Sequence, residues 1–175
     1  MKHLIAALIA CLFLSSFTAA RQQQEWVTFS SPEGRFSLQF PKKPASDVKE
    51  VDSVVGKLTM YTYAASSSTV TYMASFADYP NVPEANRQMA VLDAVRDGVV
   101  SKLEARIYDE TRISMEGNPG RQFLMTKTVD GSELIYHWRI YLIGRRLYQV
   151  AAAYYKRDSQ SRELPKYFDS FQLLS

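Results

Sequence analysis

The sequence predicts an α+β domain, an antiparallel β-sheet with helices on both faces, arranged as an α/β/α sandwich. Three observations predict this class. Short runs that alternate apolar and polar residues follow one another, with Gly, Pro or Asp-Gly turns between them. One longer segment carries apolar residues at helical spacing, and a short second helix is predicted near the C-terminus. The strands after the long helix carry apolar residues on both faces, so the sheet needs cover on both sides.

The first 20 residues are predicted to be a secretory signal peptide. Lys2 gives a positive start, residues 4–17 are almost entirely apolar, and residues 18–20 (TAA) are the small residues that precede a cleavage site. A transmembrane anchor is the alternative, but the apolar run is shorter than the roughly 20 residues that span a bilayer. The sequence therefore predicts export to the periplasm or the extracellular space, with no transmembrane segment in the mature chain.

Cys11, the only cysteine, lies inside this signal. Residues 8–11 (LIAC) resemble the box before a lipidated cysteine, but lipidation would leave residues 12–14 (LFL) on the mature side, so Cys11 is interpreted as an ordinary apolar residue. The mature chain then has no cysteine, which excludes disulfides, thiol nucleophiles and Cys-based zinc sites.

Composition limits the partners of the mature chain. The formal net charge is +3, and Lys2 contributes one of these charges, so nothing indicates a nucleic-acid partner. No cofactor, metal site or catalytic residue is predicted. Residues 21–24 are interpreted as a short polar leader, and residues 25–175 as a single globular domain without internal repeats.

The N-terminal segment SPEGRFSLQFPKKP (residues 31–44) is predicted to contain a turn between two strands. The strands cover residues 25–30 and 35–40. Pro32 takes the second position and Gly34 the fourth position of a type I turn. An anion-binding loop is the alternative, but such a loop needs several glycines at the start of a helix, whereas Gly34 precedes a strand.

The remaining elements follow from the same patterns. Further strands are predicted over residues 47–55, 57–65, 69–79, 107–115, 121–129, 133–143 and 146–155. Pro83 opens the long helix, whose apolar stripe runs to Leu103. Turns are predicted at residues 117–120, at Asp130-Gly131 (type I′) and at Gly144-Arg145 (type II′). Pro165 lies early in the short terminal helix.

The hairpin over residues 133–155 is the most strongly patterned segment. One face is predicted to be buried and covered by a helix; its residues are Trp138, Ile140, Leu142 and Leu147. His137 points to the opposite face, where a polar pairing at the surface or rim is expected.

Four segments carry a resemblance to a known family. EGRFSLQFPKKP, GNPGRQF, YLIGRRLYQV and FDSFQL occur in this order. Together they resemble bacterial secreted domains of the PsbP-like α/β/α sandwich. PsbP is an extrinsic, non-catalytic subunit of photosystem II, so the resemblance implies a binding or accessory role. No segment is specific to photosystem association, so the resemblance does not imply photosystem II as a partner of this chain.

One polar cluster is a candidate ligand-binding site. His137, Arg139 and Tyr141 share a strand face, and Tyr148 is expected beside Tyr141 across the turn. Glu133 shares the face but lies roughly 13 Å from His137 along an extended strand, too far for a hydrogen bond. A further convergence of arginines depends on the strand register; its members are Arg112, Arg121 and Arg139.

The sequence leaves two hypotheses for the function. The leading hypothesis is a non-enzymatic secreted domain that binds a protein or small-molecule partner at the cell envelope. The alternative is a hydrolase or isomerase that uses His137, Arg139 and Tyr141, with Arg139 holding a carboxylate or phosphate. An enzyme requires a concave, partly apolar site around His137, so the surroundings of this residue separate the two hypotheses.

Overall fold

Residues 25–53 and 55–174 are described by a computed structural model. The predicted signal peptide, its cysteine and the polar leader lie outside these residues. The strands are β1 (Val27–Ser31), β2 (Phe36–Phe40), β3 (Ala45–Ser53), β4 (Gly56–Ser66), β5 (Val70–Asp78), β6 (Arg106–Met115), β7 (Asn118–Val129), β8 (Ser132–Ile143), β9 (Arg146–Tyr155) and β10 (Gln172–Leu173). The helices are α1 (Gln88–Leu103) and α2 (Glu163–Asp169), and a single 3₁₀ turn precedes α1.

Seven strands form one antiparallel sheet in the order β3-β4-β5-β9-β8-β7-β6. Each half is a meander of consecutive hairpins, and the two halves join where β5 pairs with β9. The prediction of an α+β fold built on an antiparallel sheet is therefore confirmed.

The N-terminal hairpin forms a separate, smaller sheet. β1 and β2 pair with each other, and β10 adds to the free edge of β2. Phe36, Leu38 and Phe40 alternate on one side of β2 and are completely buried, because this side packs against the large sheet. The sequence predicted the hairpin but not this three-stranded layer.

The large sheet separates two apolar cores. One core contains Leu92 of α1 together with Phe123, Ile140 and Leu142. The other is rich in aromatic residues and contains the buried side of β2 and three residues of α2, which are Leu164, Tyr167 and Phe168.

The predicted buried face of the β8–β9 hairpin is largely confirmed. Ile140, Leu142 and Leu147 are buried beside α1. Trp138 is only half-buried, at the margin of that core, and its indole Nε1 donates to Gln149 Oε1 at 3.1 Å.

Two of the predicted hairpin turns are confirmed by their backbone angles. Asp130 and Gly131 have φ values of 50° and 75°, as a type I′ turn requires, and Gly144 has a φ of 59°. The prediction at residues 117–120 is wrong in its position. Glu116 and Gly117 (φ 49° and 77°) form the turn, so β7 begins at Asn118 and Gly120 lies within that strand.

The turn in SPEGRFSLQFPKKP is confirmed, one residue later than predicted. The backbone N–H of Arg35 donates to the carbonyl of Pro32 at 3.2 Å, and the N–H of Gly34 donates to Ser31 Oγ at 3.0 Å. Gly34 is buried, and a Cβ there would lie 2.7 to 2.8 Å from ring atoms of Phe36 and Phe76. The turn needs glycine because it packs directly on these rings.

Candidate functional site

The structure places three of the four predicted site residues beneath α2 and the segment after it. The His137 ring lies 4.0 Å from the Phe168 ring, measured between centroids, and the Arg139 guanidinium lies 4.9 Å from the same ring. Tyr141 stacks nearly parallel on Phe171, at 5.9 Å. These side chains share one face, as predicted, but aromatic side chains cover that face.

His137 is packed in this contact and not at a rim, which corrects the expectation of a surface pairing. Its Nε2 atom is buried and has no hydrogen-bond partner among the described residues. Burial, together with the charge of Arg139, lowers the pKa of His137 to about 4. The imidazole is therefore neutral near pH 7. Glu133 does not orient it, since Lys156 Nζ (2.6 Å) and Thr126 Oγ1 (3.0 Å) both bind that carboxylate.

His137 is expected to make the protein acid-sensitive. Its folded pKa of about 4 lies below the 6.5 of an exposed imidazole, so the unfolded chain binds the proton first as the pH falls. The free energy of unfolding should decrease between about pH 6.5 and pH 4, by roughly 3 kcal/mol. Urea denaturation of wild type and His137→Phe across this range measures the effect. Parallel curves for the two proteins would contradict it, because their carboxylates titrate alike.

The strand register does not bring the three arginines together. Arg139 lies on the α2 side and donates to Gln122 Oε1 at 2.8 Å. Arg121 lies on the α1 side, where it pairs with Asp93 and with Glu110. Arg112 is directly opposite Arg121 in the β6–β7 register, so these two lie on the face that Arg139 does not reach.

Tyr148 connects the predicted cluster to a different part of the surface. It is directly opposite Tyr141 in the β8–β9 register, as predicted. Its hydroxyl donates to the carbonyl of Gly34 at 2.8 Å, and its ring lies edge-on to Phe36. Tyr148 also lines a cleft beside the β8–β9 turn.

This cleft has a volume of about 510 Å³ and lies where the β8–β9 turn, the turn before β2 and the end of the chain meet. Three arginines and three aliphatic residues line it; they are Arg35, Arg145, Arg146, Ile143, Leu173 and Leu174. The carboxylates at the cleft belong to Asp78 and Glu116.

Arg146 is the structural arginine of the cleft. Its Nε and Nη2 donate to the two carboxylate oxygens of Asp78 at 2.7 and 2.8 Å, and its Nη1 donates to the Glu33 carbonyl at 2.7 Å. Hydrogen bonds and charge from Arg146 hold the pKa of Asp78 below its usual value. Arg146 thus joins β9 to β5 and to the turn before β2.

Arg35 and Arg145 are held through their backbones. The Arg35 carbonyl accepts from the N–H of Leu174 at 2.9 Å, and the Arg145 carbonyl accepts from the N–H of Tyr79 at 2.8 Å. Both side chains are exposed. The sequence placed Arg145 in a predicted turn and did not single out Arg35, because the segments that form the cleft are far apart in the chain. The adjacent residues Arg145 and Arg146, close to Tyr148 in the sequence, were the only local signal of this cleft.

Within residues 25–53 and 55–174, no helix has both the length and the apolar character needed to cross a membrane. In the same part of the chain, no three side chains of His, Cys, Asp or Glu gather where they could hold a metal ion.

Comparisons with known proteins reveal a likeness in fold. No protein-family model and no curated protein matches the chain. The solution structure of cyanobacterial PsbP (CyanoP) from Synechocystis sp. PCC 6803 matches with 9% identity and a TM-score of 0.57, over 88% of this chain and 95% of that one. A crystal structure from Bacteroides thetaiotaomicron matches with 13% identity and a TM-score of 0.50, over 85% of this chain. The match spans about half (48%) of the Bacteroides chain.

Proposed function

Since this chain has the PsbP-like fold that its sequence predicted, we propose that it is an exported, non-enzymatic binding domain that acts at the cell envelope. The proposal includes the α/β/α sandwich, with α1 on one face of the large sheet and α2, beside the small sheet, on the other. Its role is accessory: the domain binds a protein or a small molecule and does not transform it.

The observation that carries this proposal is the arginine-lined cleft. A binding site is typically concave, of a few hundred cubic ångströms, with apolar walls and a few polar groups. The cleft of about 510 Å³ has this size, and three aliphatic residues line it beside five charged ones. Its charged residues are arginines and carboxylates, and no hydroxyl nucleophile with an adjacent base lies among its lining residues.

The surroundings of His137 argue against the enzymatic alternative. A general base needs access to substrate and a pKa near the working pH. Phe168 covers the imidazole, and the pKa of His137 is lowered to about 4. The ligand-binding role predicted for His137, Arg139, Tyr141 and Tyr148 stays a prediction. Of these four, only Tyr148 lines the cleft.

Export is a separate part of the proposal and has its own test. The exported protein is expected to begin at or near Arg21, because the residues before it have the three-part pattern of a signal peptide. Intact-mass spectrometry of protein recovered from the envelope or the medium measures this. A species that retains residues 1–20, or that carries lipid on Cys11, would contradict the assignment.

Binding is tested with the exported protein as bait in an envelope extract of the producing cell. The test variant is the double substitution Arg35→Gln/Arg145→Gln, and the control is Arg157→Gln, an exposed arginine beside Tyr155 and outside the cleft. We expect a molecule that wild type and control retain and that the double variant loses by about tenfold, roughly 1.4 kcal/mol. If every retained molecule binds all three proteins equally, the cleft is not the binding site and the proposal fails.

A further inference from the structure

We propose that the cleft binds a carboxylate group joined to an apolar chain, that is, an amphiphilic organic monoanion. This inference rests on the proposed binding function and names the ligand class.

The cationic donors of the cleft belong to its arginines. Arg146 and Asp78 satisfy each other in a bidentate pair. Arg145 has only a longer contact with the same carboxylate, 3.6 Å between Arg145 Nη2 and Asp78 Oδ2. Arg35 forms no ion pair with any described carboxylate. It lies near Tyr148: burial raises the pKa of that hydroxyl, and the charge of Arg35 acts in the opposite direction. Arg35 and Arg145 therefore have planar N–H donors left for a ligand, and a guanidinium matches the geometry of an oxyanion.

The charges around the cleft favour a ligand with a single negative charge. Among the described residues that line the cleft, three arginines face two carboxylates, which gives these side chains a net charge of +1. The second carboxylate, Glu116, is exposed and has no ion-pair partner among the described residues. It would repel a second negative charge on a ligand. A carboxylate, with a single charge, suits this balance better than a phosphate dianion.

The cleft also has an apolar wall. Ile143, Leu173 and Leu174 line the cleft beside the arginines and remain partly exposed. Burying apolar surface contributes about 25 cal/mol per Å², so an alkyl chain on these residues would add to the affinity of the anionic group. An inorganic anion would use the arginines alone.

The backbone beneath these groups is rigid, which reduces the entropic cost of binding. The turn that carries Arg35 is fixed by three hydrogen bonds from other segments: from Leu174 N–H, from Arg146 Nη1 and from the Tyr148 hydroxyl. Arg35 has a φ of 52°, so its backbone is held in the left-handed region. The cleft is thus formed before a ligand arrives.

The experiment is an NMR titration of the exported protein with octanoate, below its aggregation concentration. Acetate tests the anion alone, 1-octanol tests the alkyl chain alone, and octyl phosphate tests the other oxyanion. We expect saturable shifts in amides of residues 34–35, 143–146 and 173–174, with octanoate binding at least about tenfold more tightly than each of the other three. Raising the salt concentration should weaken octanoate binding.

The variants test the assigned residues. Arg35→Gln and Arg145→Gln should each weaken octanoate about tenfold, and Arg157→Gln should leave it unchanged. Thermal unfolding of each variant checks the fold. If a variant does not fold, the titration of the unsubstituted protein still decides.

Three results would overturn the inference: no saturable shift in the cleft, equal binding of octanol and octanoate, or octyl phosphate binding at least as tightly as octanoate. Undiminished octanoate binding in both folded glutamine variants would also overturn it. These results leave the wider binding proposal intact if the envelope extract still yields a molecule that depends on the cleft. Loss of that dependence contradicts the binding proposal itself.

Discussion

Replacing Gly120 with alanine is expected to lower the free energy of unfolding by about 3 kcal/mol, at the upper end of the usual cost of overpacking. A Cβ at this position would lie 2.6 Å from the Ile140 carbonyl oxygen and 2.7 Å from Tyr141 Cδ1. The carbonyl belongs to β8, which pairs with β7 here, so it cannot move without disturbing the ladder between the two strands. Urea denaturation measures the loss.

Gly98→Ala is the matched control. Gly98 lies in the middle of α1, and nothing lies within 4 Å of the position its Cβ would take. Alanine there should raise the free energy of unfolding by up to about 1 kcal/mol, because glycine has the more flexible unfolded chain and the lower helix propensity. The same substitution should thus have opposite signs at the two sites. A Gly120→Ala protein as stable as wild type would show that β7 and β8 do not approach this closely.

Phe36→Ala is expected to cost about 4 kcal/mol, within the range for deleting a buried aromatic side chain. Phe36 is completely buried, and its ring contacts those of Tyr63, Phe76, Tyr148 and Phe171. These partners come from the large sheet and from the end of the chain, so Phe36 attaches the small sheet to the rest of the fold. Chemical denaturation followed by tryptophan fluorescence measures the change.

Phe29→Ala provides the comparison within the same hairpin. Phe29 also contacts Phe36, Phe40 and Tyr63, but it is only half-buried. Its truncation should cost about half as much as that of Phe36, because it removes less buried apolar surface. Equal costs would mean that Phe36 is no more deeply buried than Phe29, which lies on the same face of the hairpin.

Local patterns in the sequence predicted the hairpins well because their determinants are neighbours in the chain. Asp130-Gly131 forms the predicted turn since both residues tolerate a positive φ. Gly120 was assigned to a turn for the same reason, and there the prediction is wrong. Its role is to let Tyr141 and the β8 backbone approach closely, and this depends on the pairing of two strands, which is not a local property.

The candidate site shows the same division. The two-residue period of a strand places His137, Arg139 and Tyr141 on one face, and the short β8–β9 turn places Tyr148 opposite Tyr141. What covers that face could not be predicted, because Phe168 arrives from a helix about 30 residues further along the chain. The contact with Phe168 leaves His137 half-buried, with a buried Nε2 atom and a neutral imidazole near pH 7.

Local sequence patterns predicted the class of fold, the approximate positions of most strands and of both helices, and the residues that share a face. These follow from side-chain periodicity and turn chemistry, which act over a few residues. Three features became visible in the tertiary structure alone. The first hairpin forms its own layer, α2 covers His137, and Arg35 lies near Arg145 beside the end of the chain. A residue's burial and electrostatic surroundings come from contacts between distant segments. The packing of the whole domain selects those contacts, so short sequence patterns do not predict them.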